Sequence, residues 1–393
     1  LVLHNYMDFD DLKDYVKISY ELTQDGLVIS KGKLPEVSAA PHSEGKINLK
    51  INVPESGKCY LKFIYHLKKE LPLLDEDHIL GFDEIEVSQK DAKCQLAEKW
   101  VEKTVTDSEL QVSEDDTQIH IKGREFAYTI DRRTALFTEM KFAGREYLNH
   151  PMELNIWRAP TDNDMYIKSE WKKAHYDKAY TRAYTTEVVQ GKHGVKITSH
   201  ASVVAETVQK ILDVTITWKI EAAGKIDADI EVTKDDEFPD LPRFGVRMFL
   251  DKKLSAARYF GMGPQESYCD KHQAASHGLY QANVDDLHED YICPQENGSH
   301  YDCEYVELNN SRYGIVVSAE NAFSFNASYY TQEELEKKTH NYELTESDSV
   351  VFCVDYALNG IGSNSCGPVV LDQYRFDDVL FRFQFTLIPY VKG

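Results

Sequence analysis

Three short segments concentrate the side chains able to do chemistry. Trp157-Arg158-Ala159-Pro160-Thr161-Asp162-Asn163-Asp164 joins a large apolar ring, a guanidinium with five fixed donors and three Asx side chains that close turns on backbone N–H groups. Pro160 fixes its own φ and biases Ala159 towards extended geometry, so the stretch predicts a rigid corner. Gly261-Met262-Gly263-Pro264-Gln265-Glu266-Ser267-Tyr268 and Pro294-Gln295-Glu296-Asn297-Gly298 each place a Gln-Glu pair after proline. Two carboxylates in such matched contexts, Glu266 and Glu296, suit general acid and base work. The competing reading is that each accepts backbone N–H groups and locks a loop. Asp162 and Asp164 divide the same way, between turn formation and contacts to a ligand or interface. A fourth stretch, Gly360-Ile361-Gly362-Ser363-Asn364-Ser365-Cys366-Gly367-Pro368, is small and glycine-rich, able to approach another backbone closely.

Composition limits the partners. The formal charge of -22 opposes polyanions, so nucleic acid is disfavoured, as are anionic membrane surfaces. No apolar run is long enough to cross a bilayer. Leu1-Val2-Leu3-His4-Asn5 lacks a basic segment followed by an apolar core, so no signal peptide is visible and a cytoplasmic location is expected. The missing initiator Met suggests a processed chain or an excised fragment. Seven cysteines are scattered without a C-x-x-C or Cys/His cluster. They read as small buried hydrophobes in a reducing compartment, with no metal site. The Asn-x-Ser sequons at Asn297, Asn309 and Asn326 are then chance.

Strands must position these residues, since Tyr, Phe, Val, Ile and Thr are plentiful. Over 1–89 the apolar residues alternate: Ile47, Leu49, Ile51 and Val53 predict one strand, Cys59–Tyr65 and Glu84–Val87 two more. Pro- and Gly-marked turns between them suggest an immunoglobulin-like sandwich. Residues 90–117 are polar and acidic and read as a linker, pinned by Trp100. From 118 to 393 strands resume. They include 118–121 and 126–130 about a Gly turn, a hairpin of 214–220 and 226–232, the runs 314–319 and 350–356, and a final strand through Val379, Phe381, Phe383, Phe385 and Leu387. One helix is expected, after the capping box Thr331-Gln332-Glu333-Glu334.

In this order, W-R-A-P-T-D-N-D, G-x-G-P-Q-E-x-Y and P-Q-E-N-G resemble the C-terminal module of the glycoside hydrolase family 2 β-galactosidases. His4-Asn5-Tyr6-Met7-Asp8-Phe9 opens a stretch similar to that family's second immunoglobulin-like domain, so the likeness covers essentially the whole chain. The resemblance implies an all-β chain, an immunoglobulin-like sandwich followed by a large antiparallel β-supersandwich similar to galactose mutarotase. It also implies the non-catalytic C-terminal portion of a retaining β-galactosidase. The family's two catalytic Glu residues, about 5 Å apart, sit on a TIM barrel of about 250 alternating residues that this chain does not contain. The barrel's metal ions, Mg and Na, are expected there and not here, and this portion alone is expected to be inactive. Its partners would be the catalytic barrel of the same parent chain, a β-galactoside at a shared pocket edge, and further copies in a homo-oligomer.

The loop 360–368 resembles one that reaches the lip of the family's active site. Asn364, Ser365 and Cys366 are therefore the substrate-proximal candidates. Cys366 stands where the best-known version has a Trp, which removes a stacking surface. A different class remains: a stand-alone sugar epimerase or a carbohydrate-binding module. An epimerase would pair His175, His272, His277 or His300 with Glu266 or Glu296.

Overall fold

A computed structural model describes residues 1–101, 110–362 and 364–392. The chain divides into two compact units, Leu1–Leu96 with His277–Leu279, and Ala97–Ser276 with Tyr280–Gly393.

The first unit is built of β1 (Val2–His4), β2 (Val16–Gln24), β3 (Leu27–Lys33), β4 (Glu44–Lys46), β5 (Cys59–Leu67) and β6 (Ile79–Glu86). Four of them form an antiparallel sheet in the order β3-β2-β5-β6, and β1 pairs with β4. Period-2 alternation puts Ile18 and Leu22 of β2 on one face with Leu61 and Phe63 of β5, and these four are buried together. Each such side chain contributes about 1.5–3 kcal/mol on leaving water. The run 47–53 corrects the sequence reading. Ile47 is buried and Leu49 and Ile51 pack on the cluster, yet the segment forms no strand. Alternation reports which side chains face a core; it does not supply a hydrogen-bonding neighbour.

In the second unit β7 (Gln111–Glu114), β8 (Gln118–Lys122), β9 (Phe126–Asp131), β10 (Leu136–Phe142) and β11 (Arg145–Glu146) make a five-stranded meander. The larger sheet has twelve strands: β12 (Leu148–Asn155), β13 (Tyr180–Gln190), β14 (Gly194–Val204), β15 (Leu212–Glu221), β16 (Ile226–Lys234), β17 (Arg243–Asp251), β18 (Ala256–Gly263), β19 (Ser276–Asn283), β20 (Ser299–Asn309), β21 (Tyr313–Ser328), β22 (Ser349–Leu358) and β23 (Leu380–Val391). Its main path runs β12-β17-β22-β21-β23-β16-β15-β14-β13, with β20 joining β21 to β18 and β19 on β18. The hairpin of β15 and β16 forms as read. The alternating aromatics of β23 pair with the inward residues of β16, Phe381 with Val232, Phe383 with Ile230 and Phe385 with Ala228. These aromatics are buried, and Trp218 closes the layer by donating its indole N–H to Ala135 O at 2.8 Å.

The expected linker is more structured than its composition implied. Trp100, on a short helix Glu98–Val101, stacks on Tyr390 at 4.0 Å, and β7 is the edge strand of the meander. Residues 102–109 lie outside the described part. The helix after Thr331 is Gln332–Lys337, with the Thr331 hydroxyl accepting from Glu334 N at 3.1 Å. A further helix, Ile167–Lys173, follows the Trp157–Asp164 stretch directly. It escaped the sequence reading because, at seven residues, it buries only Trp171. Among the described residues no helix is long and apolar enough to cross a membrane.

Candidate functional site

The Trp157–Asp164 stretch leaves β12 as the expected corner. Trp157 is buried, its backbone N–H bonded to Asn155 Oδ1 at 3.1 Å and its ring edge-on to Trp171. Arg158 is entirely unexposed. Its guanidinium grips Asp164 through Nε at 3.1 Å and Nη2 at 2.7 Å. The same Asp164 Oδ2 accepts Thr161 N at 2.8 Å, which closes the turn over 162–164. A buried charge of this kind needs a full set of partners, and the remaining donors reach Asn359 O at 2.5 Å and Gly360 O at 3.1 Å. Asn163 adds a bond to Ile361 O at 2.9 Å. The corner therefore holds three consecutive carbonyls at the root of the 360–368 loop.

The other two segments join it. Asp162 N donates to Gln295 Oε1 at 3.0 Å, Gln295 Nε2 returns a bond to Asp162 Oδ2 at 3.2 Å, and Glu296 N donates to Ala159 O at 3.0 Å. The Glu296 carboxylate is buried against Arg243 Nη1 at 3.2 Å. Burial lifts its pKa above the usual carboxylate range, against the pull of Arg243 and Arg158. Arg243 is also forked onto the unexposed Asp355, at 3.1 and 2.5 Å. Glu266 accepts Gly298 N at 2.8 Å and is bound by Lys271 Nζ and the Tyr291 hydroxyl. Asn297 caps the turn, accepting Glu289 N at 3.0 Å and donating to Gln295 O at 2.9 Å. Gln265 is exposed. Glu266 accepts a backbone N–H, as the loop-locking reading expects, whereas the Glu296 carboxylate accepts none among the described residues: Oε2 holds Arg243 and the buried Oε1 has no hydrogen-bond partner there.

The three segments are bonded to one another in series, and the first of them, through Arg158 and Asn163, holds the root of the loop. Asn359 Oδ1 accepts Phe376 N at 2.9 Å and Gly360 N donates to Tyr374 O at 2.8 Å, so the outgoing and returning strands of the loop are tied together. Beyond this root Asn364 is half-buried while Ser365 and Cys366 are exposed; Ser363 lies outside the described residues. Cys293 is exposed too, which corrects the view of the cysteines as uniformly buried; Cys59, Cys303 and Cys353 are buried. Asn297 and Asn326 are buried, which agrees with chance sequons.

Sequence reasoning missed Arg243, Asp355, Asn359 and Asp270, whose carboxylate accepts Ile361 N at 3.1 Å and Gly362 N at 2.7 Å. Arg243 and Asp355 did carry a signal, charges in otherwise apolar strand runs, such as Phe352-Cys353-Val354-Asp355. Asn359 and Asp270 carried none, since each is one polar residue in a loop. The histidines proposed for an epimerase are spread out. His300 is buried between Tyr259 and Phe325, with Nδ1 on Met262 O at 3.3 Å, and burial lowers its pKa to about 4. His272 Nδ1 bonds Tyr268 O at 3.0 Å, His277 Nδ1 lies 2.7 Å from Glu84 in the first unit, and His175 takes a left-handed conformation at a turn.

Residues 122–387 match the family model described as Beta galactosidase small chain. The chain belongs to the beta-galactosidase small-chain family. Residues 1–88 match the model described as Beta-galactosidase, domain 4. A beta-galactosidase of Actinobacillus pleuropneumoniae is 43% identical over 390 residues, covering 99% of this chain and 38% of the relative. One of Staphylococcus xylosus is 30% identical over 392 residues, covering 98% of this chain and 38% of the relative. The chain thus spans under two fifths of the length of these curated beta-galactosidases. Among solved structures, galactose 1-epimerase from Lactobacillus acidophilus NCFM aligns over 74% of this chain and all of its own, at 8% identity and a TM-score of 0.37.

Proposed function

We propose that this chain is the non-catalytic portion of a retaining β-galactosidase, one that braces a catalytic barrel and lends the loop 360–368 to the edge of its galactose pocket. One observation carries the reading: the Arg158 and Asn163 side chains converge on the three carbonyls of 359–361 and leave Ser365 and Cys366 exposed beyond them. A loop whose only task was to connect two strands would not need a buried guanidinium at its root. Binding groups on loops work when a rigid scaffold aims them. On this reading the barrel supplies the acid/base and nucleophilic carboxylates and the sites for Mg and Na, and β-D-galactosides are hydrolysed with retention.

Incubation with a chromogenic β-galactoside tests it. The chain alone should show no turnover, and the chain joined to a family 2 barrel should show it. Turnover by the chain alone, or full activity of the joined protein after deletion of 363–367, would refute the reading. Support of a homo-oligomer is the third part. The exposed Leu27 and Ile29 of the edge strand β3 support that part, and Lys at both positions should lower the mass seen by light scattering.

A further inference from the structure

The loop's root is held from a second side by a residue that no motif marks. Asp270 sits at the tip of a tight turn, closed by Tyr268 N to Lys271 O at 2.9 Å and Lys271 N to Tyr268 O at 3.0 Å. Its two carboxylate oxygens receive two successive backbone N–H groups of the loop, Ile361 N on Oδ1 at 3.1 Å and Gly362 N on Oδ2 at 2.7 Å. A carboxylate accepting two amides is a charge-assisted pair of bonds, about twice as strong as neutral ones.

The glycines make the approach possible. A Cβ on Gly360 would lie 2.7 Å from Asp270 Oδ2 and 2.9 Å from Val370 Cγ1, and one on Gly362 would lie 2.4 Å from Val370 Cγ2. Carbonyls 359–361 go to Arg158 and Asn163, and amides 361 and 362 go to Asp270. The peptide planes at the root are therefore fixed from both faces. The turn itself is anchored through Lys271 on Glu266, so the Gln265-Glu266 segment reaches the loop through Asp270.

We propose that Asp270 is a positioning residue for sugar binding: by holding the amides of Ile361 and Gly362 it sets the direction in which Asn364, Ser365 and Cys366 leave the root. It touches no sugar itself. This rests on the reading of 360–368 as part of a galactose pocket. The clamp and the pocket are separable by experiment.

Hydrogen exchange on the chain, followed by mass spectrometry, reads the clamp. In Asp270→Ala the amides of 361 and 362 should exchange about tenfold faster or more, with those of β17 and β22 unchanged. Asp270→Asn, which keeps one acceptor oxygen, should fall between. Kinetics of the β-galactosidase that carries the chain read the consequence. Asp270→Ala should raise KM, and the inhibition constant of free galactose, about tenfold with kcat within about twofold, as loss of uniform binding does; Asp270→Asn should restore part of it. Unchanged exchange at 361 and 362 would overturn the clamp. Faster exchange with unchanged galactose affinity would leave the clamp standing and overturn the placement of the loop at the pocket.

Discussion

Replacing Arg158 by Met tests the corner most severely. The guanidinium is unexposed, and four of its bonds are at stake, two to Asp164 and one each to the carbonyls of Asn359 and Gly360. Met fills most of the volume but strands a carboxylate that is 5% exposed. Breaking one side of a buried pair costs about 3–5 kcal/mol, and the two lost carbonyl bonds, at a net of about 0.5 kcal/mol each, bring the total to about 4–6 kcal/mol. For a unit of about 290 residues the unfolding entropy is about 0.6 kcal/mol per kelvin, so Tm should fall by about 7–10 °C. Calorimetry and urea unfolding of the chain measure this. Arg158→Lys keeps the charge but not the fork and should lose about half as much. The double variant Arg158→Met, Asp164→Leu removes the stranded charge, though also the acceptor of Thr161 N, and should recover about 2 kcal/mol. A single-variant cost under about 1 kcal/mol, or a double variant no more stable than the single, would refute the reasoning.

Other consequences are smaller. Burial holds His300 at about 4 in the folded chain, against about 6.5 unfolded. The unfolded chain therefore takes up the extra proton first as pH falls. The folded state loses up to about 3 kcal/mol between pH 6.5 and 4, and His300→Phe should flatten that slope in urea titrations at pH 7.5 and 5. Thr331→Ala removes the acceptor for Glu334 N and should cost about 1 kcal/mol by urea midpoint. Gly362→Ala drives a Cβ into Val370, so limited proteolysis at 360–370 should accelerate, and Val370→Ala in the same chain should reverse it.

The all-β architecture was legible because burial follows alternation, as the pairing of β16 with β23 shows. The same rule overreached at 47–53, where the alternating side chains reach a core from a segment without a ladder. The motif residues Arg158, Asn163, Asp164, Gln295 and Glu296 were legible as loop formers from their donors and acceptors. That Arg158 and Asn163 serve a loop about two hundred residues away was not, because no local pattern encodes a contact of that span. Asp270 shows the limit most plainly. Its role depends on a turn that aims it and on glycines at 360 and 362 that let it approach, a turn and a glycine pair about ninety residues apart and unremarkable singly.

The alkylation rate of Cys366, followed peptide by peptide, tests the central claim most directly, since the thiol is exposed and lies past the clamped root. In the assembled β-galactosidase a saturating galactose-type inhibitor should slow its modification by iodoacetamide about tenfold or more, leave Cys293 unaffected, and have no effect on the chain alone. Equal rates with and without inhibitor in the assembled enzyme would contradict a loop that borders the sugar.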